Sequence, residues 1–422
     1  MKIIFRKTRN PLTGFAFLLV ALIISLSCSE NRSSDSSYYG NKGRMPIVSV
    51  RGSGMDSLKL AEIPKKMQHF VCDKKVAGAV TLVSRNGQIS NFEACGLKNI
   101  EKNIPMLKNT VFRIASMTKP FAAAAIMMLS EEGKLQLDDP VKKYLPEFLD
   151  MWLISEISDK KATLIRSPRD ITIRDILTHT SGLSALPADI PVHSIAEYIL
   201  VISQHPLQFE PGSQWKYGGS GITTAARIVE VLSGQPYEVF LSERIFKPLG
   251  METTSFYPKQ EIMERIATLY HPSADSGLEA IEAPEWLNGF PRPEGGLFST
   301  ALDMYIWMQT ILNKGIYNGT RILTEESVIE MTKIQTGELK AGFTEGMSFG
   351  LAFGIVRNPS GVTEMLTKGT FGHGGAFGTQ CWADPGNNSI YILMIQRQGF
   401  GNGDASDIRN LFQKTAAEAI IK

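Results

Sequence analysis

Residues 78–94, GAVTLVSRNGQISNFEA, predict the β-hairpin around which the fold is organised. The segments 78–84 and 88–94 carry the β-branched and aromatic side chains that are typical of strands. Between them stand Asn86 and Gly87, which both tolerate the positive φ angles of a two-residue hairpin turn. We therefore expect the two strands to pair in antiparallel fashion.

Further strand-like segments lie near the C-terminus, where residues 349–356, 378–383 and 389–396 alternate or run apolar. Helical patterns flank the strands and fill the middle of the chain, at residues 56–71, 117–132, 222–233, 301–313 and 404–421. Strands at both ends with helices between them predict an α+β fold. In it, an antiparallel sheet is flanked by N- and C-terminal helices and carries an inserted, mostly helical domain.

This organisation predicts where the domain boundaries fall. We expect the α+β domain to comprise residues 51–115 and 340–422, and the mostly helical domain to comprise residues 116–339. A ligand-binding cleft is expected between the two. Residues 152–170 form an insertion, and residues 271–296 lack clear periodicity, so we expect both segments to shape the pocket.

The composition is that of a globular protein. The chain has 422 residues, of which 43% are hydrophobic and 20% are charged, which excludes a disordered or collagen-like protein. Its 44 basic and 42 acidic residues nearly balance, and four of the basic residues lie within residues 2–9. Because the remainder shows no basic stripe, we expect no nucleic-acid partner.

The N-terminus has the pattern of an export signal. Residues 2–9 are basic, and the 13 residues of segment 14–26 are almost wholly apolar. That apolar run is too short for a membrane-spanning helix, which needs about 20 residues. We therefore interpret residues 1–27 as a signal peptide and expect a periplasmic or cell-envelope location.

The end of this signal resembles a bacterial lipoprotein box, which implies lipidation of Cys28. The resemblance is imperfect, because Ser25 stands where the motif usually has Leu, and ordinary signal cleavage nearby is the alternative. Residues 28–50 are mostly polar and predict a flexible tether. The only membrane contact expected is through this N-terminal lipid anchor.

The other cysteines are Cys72, Cys95 and Cys381. They form no Cys-x-x-Cys pair, so a structural zinc site is not expected. Export would permit a Cys72–Cys95 disulfide, but the spacing alone leaves that pairing open.

Several catalytic motifs are absent from the sequence. It contains no His-Glu-x-x-His, no phosphate-binding Gly-x-x-x-x-Gly-Lys and no Gly-x-Gly-x-x-Gly. One Gly-x-Ser-x-Gly occurs at residues 346–350, but strand-like residues follow it, whereas a nucleophile elbow leads into a helix. We expect neither a metal nor a cofactor.

Three Ser-x-x-Lys pairs offer a different chemistry, in which a lysine amine removes the proton of a serine hydroxyl one helical turn away. They are Ser116/Lys119, Ser158/Lys161 and Ser213/Lys216. Only Ser116 precedes a long apolar helix, where unpaired backbone N–H groups favour negative charge on a substrate oxygen. The context therefore selects Ser116 over the other two serines, although Ser at that place is also a common helix N-cap.

Residues 112–120, FRIASMTKP, resemble the nucleophile segment of the serine β-lactamase-like superfamily, which holds class C β-lactamases, penicillin-binding D,D-peptidases, D-aminopeptidases and esterases. Further matches follow in the family's order and extend the resemblance over about residues 60–400. They are LDDP (137–140), YLP (144–146), LTHTSGL (177–183), FEPG (209–212), PLGM (248–251) and GGLFST (295–300). The fold implied is the β-lactamase/transpeptidase-like one.

The resemblance also implies further site residues. Tyr217 matches the catalytic tyrosine of a Tyr-x-Asn element, but Gly219 stands at the Asn position, which puts amide and β-lactam recognition in doubt. The third element is His373-Gly374-Gly375, expected to line the substrate. The backbone N–H groups of Ser116 and Ala376 would form the oxyanion hole. His179, inside a matched motif, is expected to be structural.

The implied reaction is acyl transfer through an acyl-enzyme on Ser116, on a small-molecule ester or a D-amino-acid peptide. Lys119 and Tyr217 share the proton transfer, and either a neutral lysine or an anionic tyrosine would need a shift of about 3 pKa units. The sequence leaves that choice open. The alternatives are a penicillin-binding D,D-peptidase or weak β-lactamase, and a non-catalytic binding module of the same fold.

Overall fold

A computed structural model describes residues 48–158, 161–186, 190–275, 277–282 and 289–421. The signal peptide, Cys28 and nearly all of the tether lie outside these residues. Residues Pro46–Lys422 form one compact unit. The division into an α+β and a helical domain stays a prediction. In the described residues, no helix is both long and apolar enough to cross a bilayer.

Sixteen short and long strands occur among the described residues. In chain order they are β1 Gly78–Arg85, β2 Gln88–Asn99, β3 Ile104–Pro105, β4 Phe112–Arg113, β5 Trp152–Ser158, β6 Lys161–Arg166, β7 Leu269–Ser273, β8 Gly277–Ile281, β9 Phe298–Ser299, β10 Ile316–Tyr317, β11 Thr320–Arg321, β12 Met347–Phe349, β13 Gly354–Val356, β14 Phe371–Gly374, β15 Gln380–Asp384 and β16 Ser389–Met394.

Twelve α-helices are present in the same residues. They are α1 Ser57–Leu60, α2 Glu62–Cys72, α3 Lys119–Glu131, α4 Ile173–Thr178, α5 Ile195–Ile202, α6 Ser220–Ser233, α7 Tyr237–Leu241, α8 Lys247–Leu249, α9 Gln260–Met263, α10 Ala301–Leu312, α11 Glu325–Thr332 and α12 Asp407–Glu418. Shorter helical turns include the 3₁₀ turn Ala115–Thr118, which directly precedes α3.

Both ends of the chain build a single antiparallel sheet of eight strands, in the order β12-β13-β14-β15-β16-β1-β2-β3. The two ends join where β1 pairs with β16, with Val80 opposite Met394. The expected α+β fold with an antiparallel sheet is thus confirmed. The expected turn is also present, since Asn86 has a φ of 54° and Gly87 a φ of 73°.

The sheet is covered on both faces, and alternating residues of β1 show this directly. Val80 and Leu82 belong to the core shared with the helices of the middle of the chain. Ala79 and Val83 face the opposite way and pack in the cluster formed with helices α2 and α12. Because a strand turns successive side chains to opposite faces, burial on both sides explains why this segment is apolar almost throughout.

Two segments differ from the strands and loops expected from the sequence. Residues 349–356 do not form one strand. Strand β12 ends at Phe349 and β13 begins at Gly354, and Ala352 between them takes a left-handed φ of 56°. Residues 271–296, whose sequence shows no clear periodicity, contribute to the paired strands β7 and β8. Buried and exposed residues do not alternate regularly in these two strands. Their sequence therefore lacks the alternation of apolar and polar residues that would have predicted them.

The insertion at 152–170 is also a hairpin, formed by β5 and β6.

The structure answers the open question of a disulfide between Cys72 and Cys95. The thiols of Cys95 and Cys381 are both free. A Cys72–Cys95 disulfide is therefore not formed.

Candidate active site

Ser116 lies in the 3₁₀ turn Ala115–Thr118, so it does not stand inside the long helix itself. The preceding Ala115 has a φ of 46°, a left-handed conformation that is uncommon for a residue with a Cβ. The turn is anchored on the neighbouring backbone, since the N–H of Ile114 donates to the carbonyl of Leu297 at 3.0 Å. Backbone strain of this kind is common at functional sites, where surrounding structure holds it in place.

Lys119 is the first residue of α3 and is buried beneath Ser116. Its Nζ lies 3.0 Å from Ser116 Oγ and 2.6 Å from the backbone carbonyl of Glu294, to which it donates. Burial lowers the pKa of Lys119 to about 7, although the Glu294 carboxylate acts in the opposite direction. A lysine in this setting is able to hold or release a proton near neutral pH.

Tyr217 lies in the loop before α6 and faces both of these residues. The Lys119 Nζ is 4.8 Å from the centre of its ring, and its hydroxyl interacts with the Ser116 side chain. Burial raises the pKa of Tyr217 well above its usual value, so the phenol is neutral at physiological pH. The three groups expected to converge are therefore close together.

His373 lies on β14 with its ring against Tyr217. Its Nδ1 is 2.6 Å from the carbonyl of Gly374 and its Nε2 is 3.5 Å from the Tyr217 hydroxyl. A carbonyl only accepts, so Nδ1 carries the proton and Nε2 is the acceptor that faces the tyrosine. Burial, together with the Lys119 charge, lowers the pKa of His373 to about 4. The imidazole is therefore neutral at physiological pH.

The glycines after His373 let β14 and its turn pack tightly against the nucleophile segment. A Cβ at Gly375 would lie 2.5 Å from the Ile114 carbonyl oxygen and would also collide with Thr379 Oγ1. Ala376 follows in the same turn and is exposed. The predicted oxyanion residue is thus held on a turn that contacts the backbone two residues before Ser116.

Gly219 precedes α6, and the space that a side chain would fill there is taken by Glu294. A Cβ at Gly219 would lie 2.8 Å from Glu294 Cγ. The Glu294 carboxylate accepts a hydrogen bond from Thr223 Oγ1 at 3.1 Å. Sequence reasoning missed Glu294; its position directly before the matched GGLFST segment was the only signal, and that pattern says nothing about a charge beside Lys119.

Aromatic side chains enclose Tyr217 on its other sides. The ring centres of His179 and Phe343 lie 4.6 Å and 4.7 Å from that of Tyr217, and Trp215 and Phe349 complete the cluster. His179 ends α4 in a left-handed conformation. Burial lowers its pKa well below the usual value, with the charges of Lys119 and His373 acting in the same direction. This packing role agrees with the structural role expected for His179.

The other two Ser-x-x-Lys pairs lack this arrangement. The hydroxyl of Ser158 donates to the Lys161 carbonyl at 3.3 Å, in the exposed hairpin β5–β6. The hydroxyl of Ser213 donates to the Glu210 carbonyl at 2.7 Å. Ser348 of the rejected Gly-x-Ser-x-Gly is buried within β12. Across the described residues, no group of three or more His, Cys, Asp or Glu side chains is placed to hold a metal ion.

The chain is similar to known proteins in sequence and in fold. The sequence profile of the family described as Beta-lactamase matches residues 63–416. An uncharacterised protein of Mycobacterium tuberculosis is 32% identical over 351 residues, which cover 77% of this chain and 87% of that protein. Esterase EstB of Burkholderia gladioli is 28% identical, covering 74% of this chain and 84% of the esterase.

A protein of Escherichia coli named as a D-alanyl-D-alanine carboxypeptidase is 27% identical, covering 74% of this chain and 75% of its own length. Among solved structures, EstCE1, described as a hydrolase with promiscuous acyltransferase activity, superposes with a TM-score of 0.71 and 22% identity. That superposition covers 87% of this chain and 99% of EstCE1, and it shows the shared fold. The chain therefore belongs to the Beta-lactamase family.

Proposed function

We propose that this protein is a serine hydrolase that forms an acyl-enzyme on Ser116 and cleaves small-molecule esters. The observation that carries the proposal is the 3.0 Å contact between Lys119 Nζ and Ser116 Oγ, in a buried site where the pKa of the amine falls to about 7. A nucleophilic serine needs an adjacent base of this kind. The name of the relative EstB supports the ester specificity.

In the first step, Ser116 Oγ attacks the acyl carbonyl while its proton passes to neutral Lys119. The carbonyl oxygen becomes an oxyanion, for which the backbone N–H groups of Ser116 and Ala376 are the proposed donors. The bond to the leaving oxygen then breaks, and that oxygen takes the proton from Lys119 through the Tyr217 hydroxyl. Water repeats the sequence in the second step and releases the acid.

The assignment of Lys119 as the base follows from the opposite effects of burial on the two candidates. Burial favours the neutral form of each group, which leaves lysine able to accept a proton and tyrosine unable to start as an anion. Tyr217 then acts as a neutral relay, and neutral His373 orients its hydroxyl, while Gly374 and Gly375 allow the close packing that holds β14 and its turn beside the site.

Gly219 is the reason for placing esters before peptides. A glycine has no side chain to hydrogen-bond a substrate amide, so recognition of D-amino-acid peptides and β-lactams loses a contact that ester cleavage does not need. A D,D-peptidase is the second candidate, and the carboxypeptidase-named relative favours it. A binding module without turnover would leave the buried Lys119–Ser116 contact without a use.

The cellular setting belongs to the same proposal. We propose that the protein is exported, is anchored through lipidated Cys28 and acts on a small molecule in the cell envelope, with no nucleic-acid partner. Globomycin treatment, which blocks processing of bacterial lipoproteins, should then lead to accumulation of the precursor. Processing that is insensitive to this inhibitor would contradict the anchor but not the hydrolase.

One experiment tests the reaction. The folded protein is incubated with a fluorophosphonate probe and with a fluorescent penicillin, and labelled residues are mapped by mass spectrometry. Labelling of Ser116 by fluorophosphonate alone supports an esterase, and labelling by both supports the peptidase. Ser116→Ala should abolish labelling and ester turnover, whereas Ser158→Ala, a matched exposed Ser-x-x-Lys serine, should change neither. An unlabelled Ser116 in an inactive wild-type protein would overturn the proposal.

A further inference from the structure

The Glu294 side chain occupies a place in the site that a side chain at position 219 would otherwise fill. A Cβ added at Gly219 would lie 2.8 Å from Glu294 Cγ and 3.1 Å from Glu294 Cβ. Real Cβ atoms essentially never come within 3.0 Å of another atom, and 3.1 Å is already a tight contact, so a side chain at position 219 and Glu294 in this place exclude each other. Gly219 leaves a space where a side chain would stand, and the Glu294 side chain fills that space.

Two further contacts hold Glu294 in this place. Thr223, fully buried on α6, donates its hydroxyl to Oε2 at 3.1 Å. Arg292 brings its Nη1 to 3.8 Å from Oε1. Only 16% of the side chain is exposed, so water screens this charge less than it would screen a surface carboxylate.

The backbone of the same residue contacts the proposed base. The Glu294 carbonyl accepts a hydrogen bond from Lys119 Nζ at 2.6 Å, while the same amine lies 3.0 Å from Ser116 Oγ. The amine is thus held between a fixed carbonyl and the nucleophile. Glu294 Cβ would lie 3.1 Å from a Cβ at position 219, and rotation about χ1 does not move Cβ, so relieving that contact would shift the backbone that carries the acceptor.

We propose that Glu294 is a positioning residue for Lys119: its wedged side chain fixes the carbonyl that aims the amine at Ser116, and its carboxylate places a negative charge near that amine. The inference rests on the proposed acyl-enzyme chemistry. Its electrostatic part agrees with the effect on Lys119, whose pKa the Glu294 charge raises against the lowering by burial.

Glu294→Gln separates the charge from the packing, because the amide keeps the shape and can still accept from Thr223. Without the negative charge, the Lys119 ammonium is less favoured, so the acid limb of kcat/KM for an ester should move to lower pH by about one unit. Glu230→Gln is the matched control, since Glu230 is similarly shielded and also pairs with an arginine, Arg227, but its charge does not act on the pKa of Lys119. It should leave the acid limb where it is in the wild type.

Gly219→Ala tests the wedge. The added Cβ should push Glu294 aside and lower kcat by about 10-fold or more, as small misplacements of catalytic groups do. In the Glu294→Ala background the collision with Cγ is gone and only the 3.1 Å approach to Cβ remains, so Gly219→Ala should cost much less there than in the wild type. Two costs that multiply would show that the residues act independently and would overturn the wedge.

The Lys119 pKa is also read directly, by NMR of the protein with ¹³C-labelled lysine, so the test does not depend on turnover. A Glu294→Gln protein that is folded but has an unchanged Lys119 titration and pH profile would overturn the inference while leaving the hydrolase intact. Failure of wild-type Ser116 to react with fluorophosphonate would instead overturn the proposed function. The two failures are therefore distinguishable.

Discussion

Lys119 Nζ lies 3.0 Å from Ser116 Oγ, although the two residues belong to different helical segments, the 3₁₀ turn Ala115–Thr118 and helix α3. Ser116 is partly exposed, whereas Lys119 is buried. The other site residues lie around this contact. Tyr217 and Glu294 contact Lys119, and His373 contacts Tyr217.

The activity should rise as pH increases through about 7, because only neutral Lys119 accepts the serine proton and its pKa is lowered to about 7. Tyr217 should add no alkaline loss in the mildly alkaline range, because its pKa is raised and the phenol stays protonated. The measurement is the pH profile of kcat/KM on a p-nitrophenyl ester. Lys119→Met should abolish turnover, and Lys161→Met should not; activity that falls through neutrality would contradict Lys119 as the base.

Tyr217→Phe should lower kcat by about 10²–10⁴-fold, because it removes the hydroxyl that relays the proton between Lys119 and the leaving oxygen. Fluorophosphonate labelling of Ser116 should slow by less than ester turnover does, because the fluoride of the probe is a better leaving group than the alcohol oxygen of an ester. Tyr257→Phe, at a half-exposed tyrosine, serves as the control and should be neutral. Wild-type kcat in Tyr217→Phe would remove the tyrosine from the mechanism.

Gly375→Ala should lower kcat/KM by about 10²-fold, because the added Cβ meets the Ile114 carbonyl at 2.5 Å and shifts the turn that carries the Ala376 N–H. Gly401→Ala is the control, since no atom lies within 4 Å of the Cβ it adds. Ester kinetics and thermal unfolding of both variants check the prediction. Equal kinetics in the two variants would indicate that this turn does not support the oxyanion.

The thiols of Cys95 and Cys381 should resist alkylation in the folded protein. Burial raises the pKa of Cys95 to about 12 and that of Cys381 well above its usual value, so the reactive thiolate is scarce in both. Mass spectrometry after brief iodoacetamide treatment should find both unmodified, and both modified once the protein is unfolded. Rapid labelling of either thiol in the native state would show that its surroundings open.

Phe121→Ala should destabilise the protein by about 3–5 kcal/mol, the usual cost of removing a buried phenylalanine. Phe121 is fully buried on α3 and its ring centre lies 4.4 Å from that of Trp307 and 5.4 Å from that of Phe246. The free energy of unfolding in urea gives the cost. Leu58→Ala, at a side chain that is 80% exposed, should change stability little; an equal loss there would point to a general effect of truncation.

The sequence alone was enough for features that depend on neighbouring residues. Asn86 and Gly87 specify their hairpin turn because positive φ is a local property, and Thr300 caps α10 by accepting from the N–H of Asp303, as a threonine before a helix is expected to do. The strands at both chain ends were readable for the same reason, and the Ser-x-x-Lys spacing with its flanking residues singled out Ser116 and Lys119, which the structure brings into contact.

Only the tertiary structure decided which distant residues meet. Glu294 stands 175 positions from the lysine it contacts, and His373 stands 156 positions from Tyr217, so no periodicity or spacing could join them. The break between β12 and β13 likewise depends on packing that holds Ala352 in a left-handed conformation. Local preference sets turns, caps and strands, whereas the charge, burial and proton affinity of Lys119 arise only when the folded chain removes water and brings Glu294 beside it.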